Sequence, residues 1–168
     1  LSILISMYTG LRIGEVCALK WEHIDLNTNM INIEHTIQRI NIKTTKDNIS
    51  KLIITTPKSR KSIRTVPINN EIIEHLKIYQ GNQQSFITSN TTIPVEPRTI
   101  RYNYASMLKK LNIKHRTFHA LRHTFATRLI KHTNDFKTVS ELLGHSSISI
   151  TLDTYTHTTI ETKIDCIN

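Results

Sequence analysis

Tyr155, His119, His145, Arg12, Arg122 and a lysine from the basic segment 57–62 are the side chains of this chain whose types suit phosphate chemistry. A phenol can attack a DNA phosphodiester and hold the strand covalently, which splits one hard exchange into two reversible steps. The pentavalent transition state gathers negative charge on its non-bridging oxygens. Two guanidiniums and imidazole donors stabilise that charge more than they stabilise the ground state. A lysine can give the leaving 5′-hydroxyl its proton, and a phenol of ordinary pKa, about 10, needs a base or local positive charge to react near neutral pH. These candidates include no Asp or Glu cluster for Mg²⁺, so the positive charge has to come from side chains, and neither metal nor cofactor is expected.

Spacing sharpens some of these candidates. His119 and Arg122 are three apart, so on a helix they are neighbours and can act on one phosphate. Arg12 lies between Gly10 and Gly14, which permit close approach, and Glu15 either orients it or is merely exposed. Pro57-Lys58-Ser59-Arg60-Lys61-Ser62 reads as a basic hairpin tip, in which spacing leaves both Lys58 and Lys61 as candidates. Taken singly, each residue has a plainer account. Arg12 and Arg122 read as solvated surface arginines, His119 as a satisfied histidine, and the hairpin as a charged cover for a sheet edge. His145 reads as a cation at a helix C-terminus and Tyr155 as a core-edge aromatic. One reaction accounts for all of them together.

These groups need elements to position them. Leu1, Leu4, Ile5 and Tyr8 predict a helix that stops at Thr9-Gly10, and a second begins near Arg12 with Ile13, Val16, Cys17 and Leu19 on its apolar side. Ile31, Ile33, His35 and Ile37 alternate as a strand, and a shift of phase to Ile40 and Ile42 predicts a bulge or strand end. Further strands fit 52–56 and 63–68, which predicts a three-stranded antiparallel meander with Pro67 near the end of an edge strand. Helices are predicted over 71–79, capped from Asn69-Asn70, and over 98–111, with Ile100, Tyr104, Met107, Leu108 and Leu111 inward. Phe118, Leu121, Phe125 and Leu129 mark the buried face of another. A short one ends at Gly144, and a last one, capped by Ser146 or Ser147, runs into Tyr155.

At 168 residues, without an internal repeat or dividing linker, the chain reads as a single domain over 1–168. Its 22 Lys and Arg against 13 Asp and Glu give +9, which favours polyanions without singling out nucleic acid. Cys17 and Cys166 show neither disulfide nor zinc spacing, so a reducing cytoplasm is expected. The longest apolar run, residues 1–7, is interrupted by Ser2 and Ser6, too short to span a bilayer and lacking a basic lead, so neither membrane nor signal peptide is expected. The chain opens at Leu1 inside a helical pattern, which predicts an upstream part.

Five ordered stretches resemble the catalytic domain of the tyrosine recombinases, the phage integrase family. They are Tyr8-Thr-Gly-Leu-Arg12-Ile-Gly-Glu15-Val, Thr56-Pro-Lys58 through Arg64-Thr-Val-Pro67, His119-Ala-Leu-Arg122-His123-Thr-Phe-Ala-Thr, Leu143-Gly-His145-Ser-Ser and Thr151-Leu-Asp-Thr-Tyr155-Thr-His157. The resemblance implies an α+β, mostly helical fold with a small three-stranded antiparallel sheet. It implies Arg12 and Arg122 as clamps on the scissile phosphate, Lys58 rather than Lys61 as general acid, His119 and His145 as assistants and Tyr155 as nucleophile, with Glu15 supportive. It further implies site-specific recombination or integration through a 3′-phosphotyrosine, on double-stranded DNA, as a homo-tetramer. An upstream DNA-clamping domain, an accessory DNA-bending or directionality factor and a bacterial, mobile-element setting such as a transposon or phage belong to the same expectation. The tail 158–168 lies where relatives often dock on a neighbouring subunit. A topoisomerase of the related tyrosine class and an inactive DNA-binding remnant are the competing readings.

Overall fold

The structure, a computed structural model, describes residues 1–43, 48–57 and 60–155. Helix α1 (Ser2–Thr9) ends where Gly10 turns into the left-handed region at φ 68°, and its N–H closes the helix on Ser6 O. A Cβ at Gly10 would lie 2.5 Å from Phe125 Cδ1, so the cap also lets the first and fifth helices meet. Helix α2 (Ile13–Ala18) follows directly, with Arg12 as its N-cap. A single 3₁₀ turn, Trp21–His23, leads into β1 (Ile24–Asp25).

Strand β1, then β2 (Met30–Ile33) and β5 (Arg64–Pro67) form the three-stranded antiparallel sheet, in the order β1-β2-β5. The expected meander is corrected here. Strand β2 pairs directly with β5, Ile31 opposite Val66 and Ile33 opposite Arg64. The intervening β3 (Thr36–Lys43) and β4 (Asn48–Thr55) pair only with each other, as a separate ribbon. Alternation runs through Glu34 and His35, so the sequence reads as one strand, but the chain leaves the first sheet there and α2 packs on the start of β3. Gly14 makes that approach possible, since a Cβ would meet Thr36 Oγ1 at 2.5 Å and Ile37 O at 2.7 Å.

The helices follow expectation more closely. Helix α3 (Asn70–Tyr79) is capped by Asn69, whose side chain accepts from Ile72 N. Helix α4 (Pro97–Lys110) buries Ile100, Tyr104 and Leu108 on one face; Leu111, expected inward, follows the last turn and is 59% exposed. Helices α5 (His119–Thr133), α6 (Phe136–Leu143) and α7 (Ile148–Tyr155) complete the domain. One core joins α1, α2, the sheet and α3 through Ile5, Leu11, Val16, Ile31, Val66 and Ile72. A second joins α2 to α4 and the start of α5 through Cys17, Ile37, Tyr104 and Phe118. A third, of Ala126, Ile130, Val139 and Leu143, seats α5 against α6. Where these cores meet, the ends of α1 and α6 and the beginnings of α2 and α5 converge.

Candidate active site

Arg122 is the side chain at that convergence. It is 2% exposed, donating from Nη1 to Gly10 O at 2.7 Å and from Nη2 to Leu143 O at 2.8 Å. Both carbonyls lie at helix C-termini, where peptide dipoles leave partial negative charge that offsets part of the cost of burying a guanidinium. Burial, together with Arg12 nearby, lowers its pKa to about 9, so it stays charged at neutral pH. These two carbonyls use only two of its five N–H donors. The surface-arginine account of Arg122 is thereby excluded.

Arg12, His119, Arg122 and His145 line one open cleft of about 330 Å³, with Ser62, Gly144, Ser146 and Ile150. Arg12 donates from Nη1 to Glu15 Oε1 at 2.9 Å and keeps 39% of its side chain exposed. His145 follows Gly144, the left-handed cap of α6 at φ 65°, and its Nδ1 lies 2.8 Å from Thr151 Oγ1 on α7. Burial, then the charges of Arg122, Arg12 and Arg64, pull His145 down to about 4, so the ring is neutral at pH 7 with Nε2 as its remaining polar atom. His119 stands on the surface at the start of α5, and partial desolvation, then the charges of Arg122 and Arg12, lower its pKa too. Two neutral imidazoles beside two fixed cations suit hydrogen bonding and proton transfer around an oxyanion.

Tyr155, the last described residue, does not line that cleft. It packs beside the α5–α6 core, stacked on His123 with centroids 4.9 Å apart and planes 28° apart. Burial raises its pKa while the charge of Arg122 opposes the rise, so the resting phenol is protonated. Lys58 lies outside the described residues. Lys61, the other candidate, donates from Nζ to Ser146 O at 3.0 Å; its segment, expected as a hairpin tip, instead connects β4 of the ribbon to β5 of the other sheet, which do not pair.

Sequence reasoning offered Glu15 as an orienter of Arg12 but missed Arg64 behind it. Glu15 is 3% exposed, and Arg64 on β5 meets both of its oxygens at 3.1 Å. Burial pushes the Glu15 carboxyl up, but the Arg64 hydrogen bonds and the charges of Arg64 and Arg12 outweigh it and hold it below its usual value. The exposed alternative for Glu15 fails. The signal for Arg64 was available: it shares the period-two phase of Val66 and Ile68, the buried face, whereas Ile63 is 48% exposed. Thr151, the partner of His145, and His123 carried no comparable signal. Among the described residues, His23, Glu34 and His35 alone gather within 4.8 Å as metal ligands would. Nδ1 of His23 already accepts the Lys20 N–H, which places the proton of the neutral ring on Nε2 and leaves no lone pair for a cation.

Fold and cleft together define a mostly helical α+β domain that presents two guanidiniums and two imidazoles to one small opening, with the Tyr155 phenol packed outside it against His123. The chain belongs to the phage integrase family, whose model matches residues 1–162. It is 34% identical to a tyrosine recombinase XerC-like protein of Caldanaerobacter subterraneus subsp. tengcongensis, over 98% of this chain and 46% of that protein. It is 27% identical to the transposase from transposon Tn916 of Enterococcus faecalis, over 96% of this chain and 43% of that one. The chain thus spans less than half the length of these curated relatives. Among solved structures it resembles the Tn1549 transposon integrase in complex with a circular intermediate DNA, with a TM-score of 0.79 at 26% identity, over 99% of this chain and 56% of that one. XerA recombinase is similar at a TM-score of 0.67 and 25% identity.

Proposed function

We propose that the chain is the catalytic domain of a site-specific DNA recombinase or integrase, the C-terminal part of a longer protein whose upstream domain clamps DNA. The observation that carries this reading is the joining of Arg12, His119, Arg122 and His145 on one cleft beside Tyr155. The Tyr155 oxygen attacks the scissile phosphorus, a 3′-phosphotyrosine forms, and the 5′-oxygen leaves. One phosphodiester is exchanged for another, so no energy source is consumed, and the reverse attack by a 5′-hydroxyl rejoins the strand. Arg12 and Arg122 hold the non-bridging oxygens, and His119 and His145 donate to them or take the phenol proton. An anion in the cleft raises the histidine pKa values and makes them better acceptors. Lys58 protonates the leaving oxygen; the engagement of Lys61 with Ser146 supports leaving that role to Lys58.

The partner is double-stranded DNA carrying a specific site, in keeping with relatives seen in complex with DNA. A homo-tetramer on two duplexes, an accessory bending factor, docking of the tail 158–168 on a neighbour and a cytoplasmic setting complete the proposal. No helix among the described residues is long and apolar enough to cross a membrane. A nicked suicide duplex carrying the core recombination site tests the chemistry. The chain becomes covalently attached through Tyr155, mapped by mass spectrometry, and Tyr155→Phe yields no adduct. An adduct that survives Tyr155→Phe, or none from either this chain or its full-length parent, overturns the reading.

A further inference from the structure

Glu15 is a buried carboxylate set between two arginines, and both of its oxygens are fully hydrogen-bonded. Oε1 accepts from Arg12 Nη1 at 2.9 Å and Arg64 Nη1 at 3.1 Å; Oε2 accepts from the Arg12 backbone N–H at 2.8 Å and Arg64 Nη2 at 3.1 Å. Four donors fill the roughly four acceptor sites of an ionised carboxyl. The two arginines are placed differently. Arg64 has its side chain 6% exposed and also donates from Nε to Leu142 O at 2.6 Å and from Nη1 to Ser62 O at 3.1 Å. Arg12 is 39% exposed and lines the cleft. The buried arginine holds the carboxylate with a two-pronged grip, and the cleft arginine touches it with one prong.

We propose that Arg64 is a positioning residue for the phosphate site, taking up the Glu15 carboxylate so that the Arg12 guanidinium stays available to an incoming phosphate. The inference rests on the phosphate-clamp reading above. Without Arg64, the one cation still hydrogen-bonded to the buried Glu15 oxygens, among the described residues, is Arg12, which turns its fork onto them. A charge-assisted bidentate pair then competes with the phosphate for the same donors. Arg64 also ties the strand after the basic segment 57–62 to the start of α2 and the end of α6, three stretches that each deliver part of the cleft. Gly144 is the concession to this arrangement: a Cβ there would lie 2.9 Å from Arg64 Nη1.

Orthophosphate titrated into the full chain, followed by the Nε–H NMR signals of Arg12 and Arg122, tests the proposal. Arg64→Met is expected to weaken phosphate binding at least about fivefold, because a hydrogen-bonded charge pair of the usual strength now opposes it. Removing the competing charge as well, in Arg64→Met/Glu15→Gln, restores binding to within about twofold of Glu15→Gln alone. A merely structural Arg64 predicts that the double variant binds no better than the single one, and that result overturns the proposal. Arg64→Lys keeps a cation on Glu15 and loses less affinity, which covers the case in which Arg64→Met does not fold. If the unaltered chain takes no phosphate, the clamp reading has failed, and the ¹³C titration of the Glu15 carboxyl still decides the role of Arg64. That carboxyl must titrate higher in Arg64→Lys than in the unaltered chain; an unchanged titration sinks the pairing itself.

Discussion

His145 shows how a residue's neighbours set its chemistry. Its ordinary pKa is near 6.5, and in the folded chain it lies at about 4, so the folded state binds its proton less readily than the unfolded state. The sign follows: the contribution to stability is complete above pH 6.5 and is lost as pH falls from 6.5 towards 4. His119 shifts in the same direction and adds to the trend. Urea unfolding between pH 7.5 and 4.5 should show stability falling with acid, and His145→Gln should flatten that dependence. Phosphate in the cleft should move the His145 imidazole signal back towards neutral pH. At Lys58 the expected outcome concerns the leaving group. Lys58→Ala slows cleavage of an ordinary phosphodiester but spares a duplex with a 5′-bridging sulfur, because a thiolate of pKa about 8.5 leaves without a proton. Equal slowing on both substrates would remove Lys58 from the general-acid role.

Two helix ends do the assembling at the scale of elements. The carbonyls that hold Arg122 belong to Gly10 and Leu143, at the C-terminal ends of α1 and α6, and each end closes with a left-handed glycine. Gly10→Ala is expected to lower stability by about 1–2 kcal/mol from the left-handed backbone alone, with more from the contact against Phe125. Thermal unfolding checks the size; a shift within error of zero would mean that α1 ends differently. These caps were legible in the sequence because a helix stop is a local decision between one residue's allowed dihedrals. Strand partnership was not, and the expected meander failed for that reason. Alternation tells which face is buried but not which strand lies alongside, and pairing Ile31 with Val66 skips the whole β3–β4 ribbon. The same alternation, applied to 64–68, would have placed Arg64 inside.

For the whole molecule, the net charge of +9 becomes useful only where cations converge. DNA affinity is expected to fall linearly with salt on logarithmic axes, and Arg12→Gln should reduce that slope by about one. A slope unchanged by Arg12→Gln, measured by fluorescence anisotropy on a duplex bearing the recombination site, would place Arg12 off the phosphate path. The sequence by itself determined the chemical inventory, the helical composition and the ordered family stretches, because these follow from residue type and short-range spacing. Only the tertiary structure decided which charge answers which. Arg122 became a buried pin by meeting a carbonyl 112 residues away, and Glu15 was claimed by an arginine 49 residues away. Those pairings depend on how distant stretches pack, and burial, which packing creates, gives a guanidinium or carboxylate its strong preference among partners.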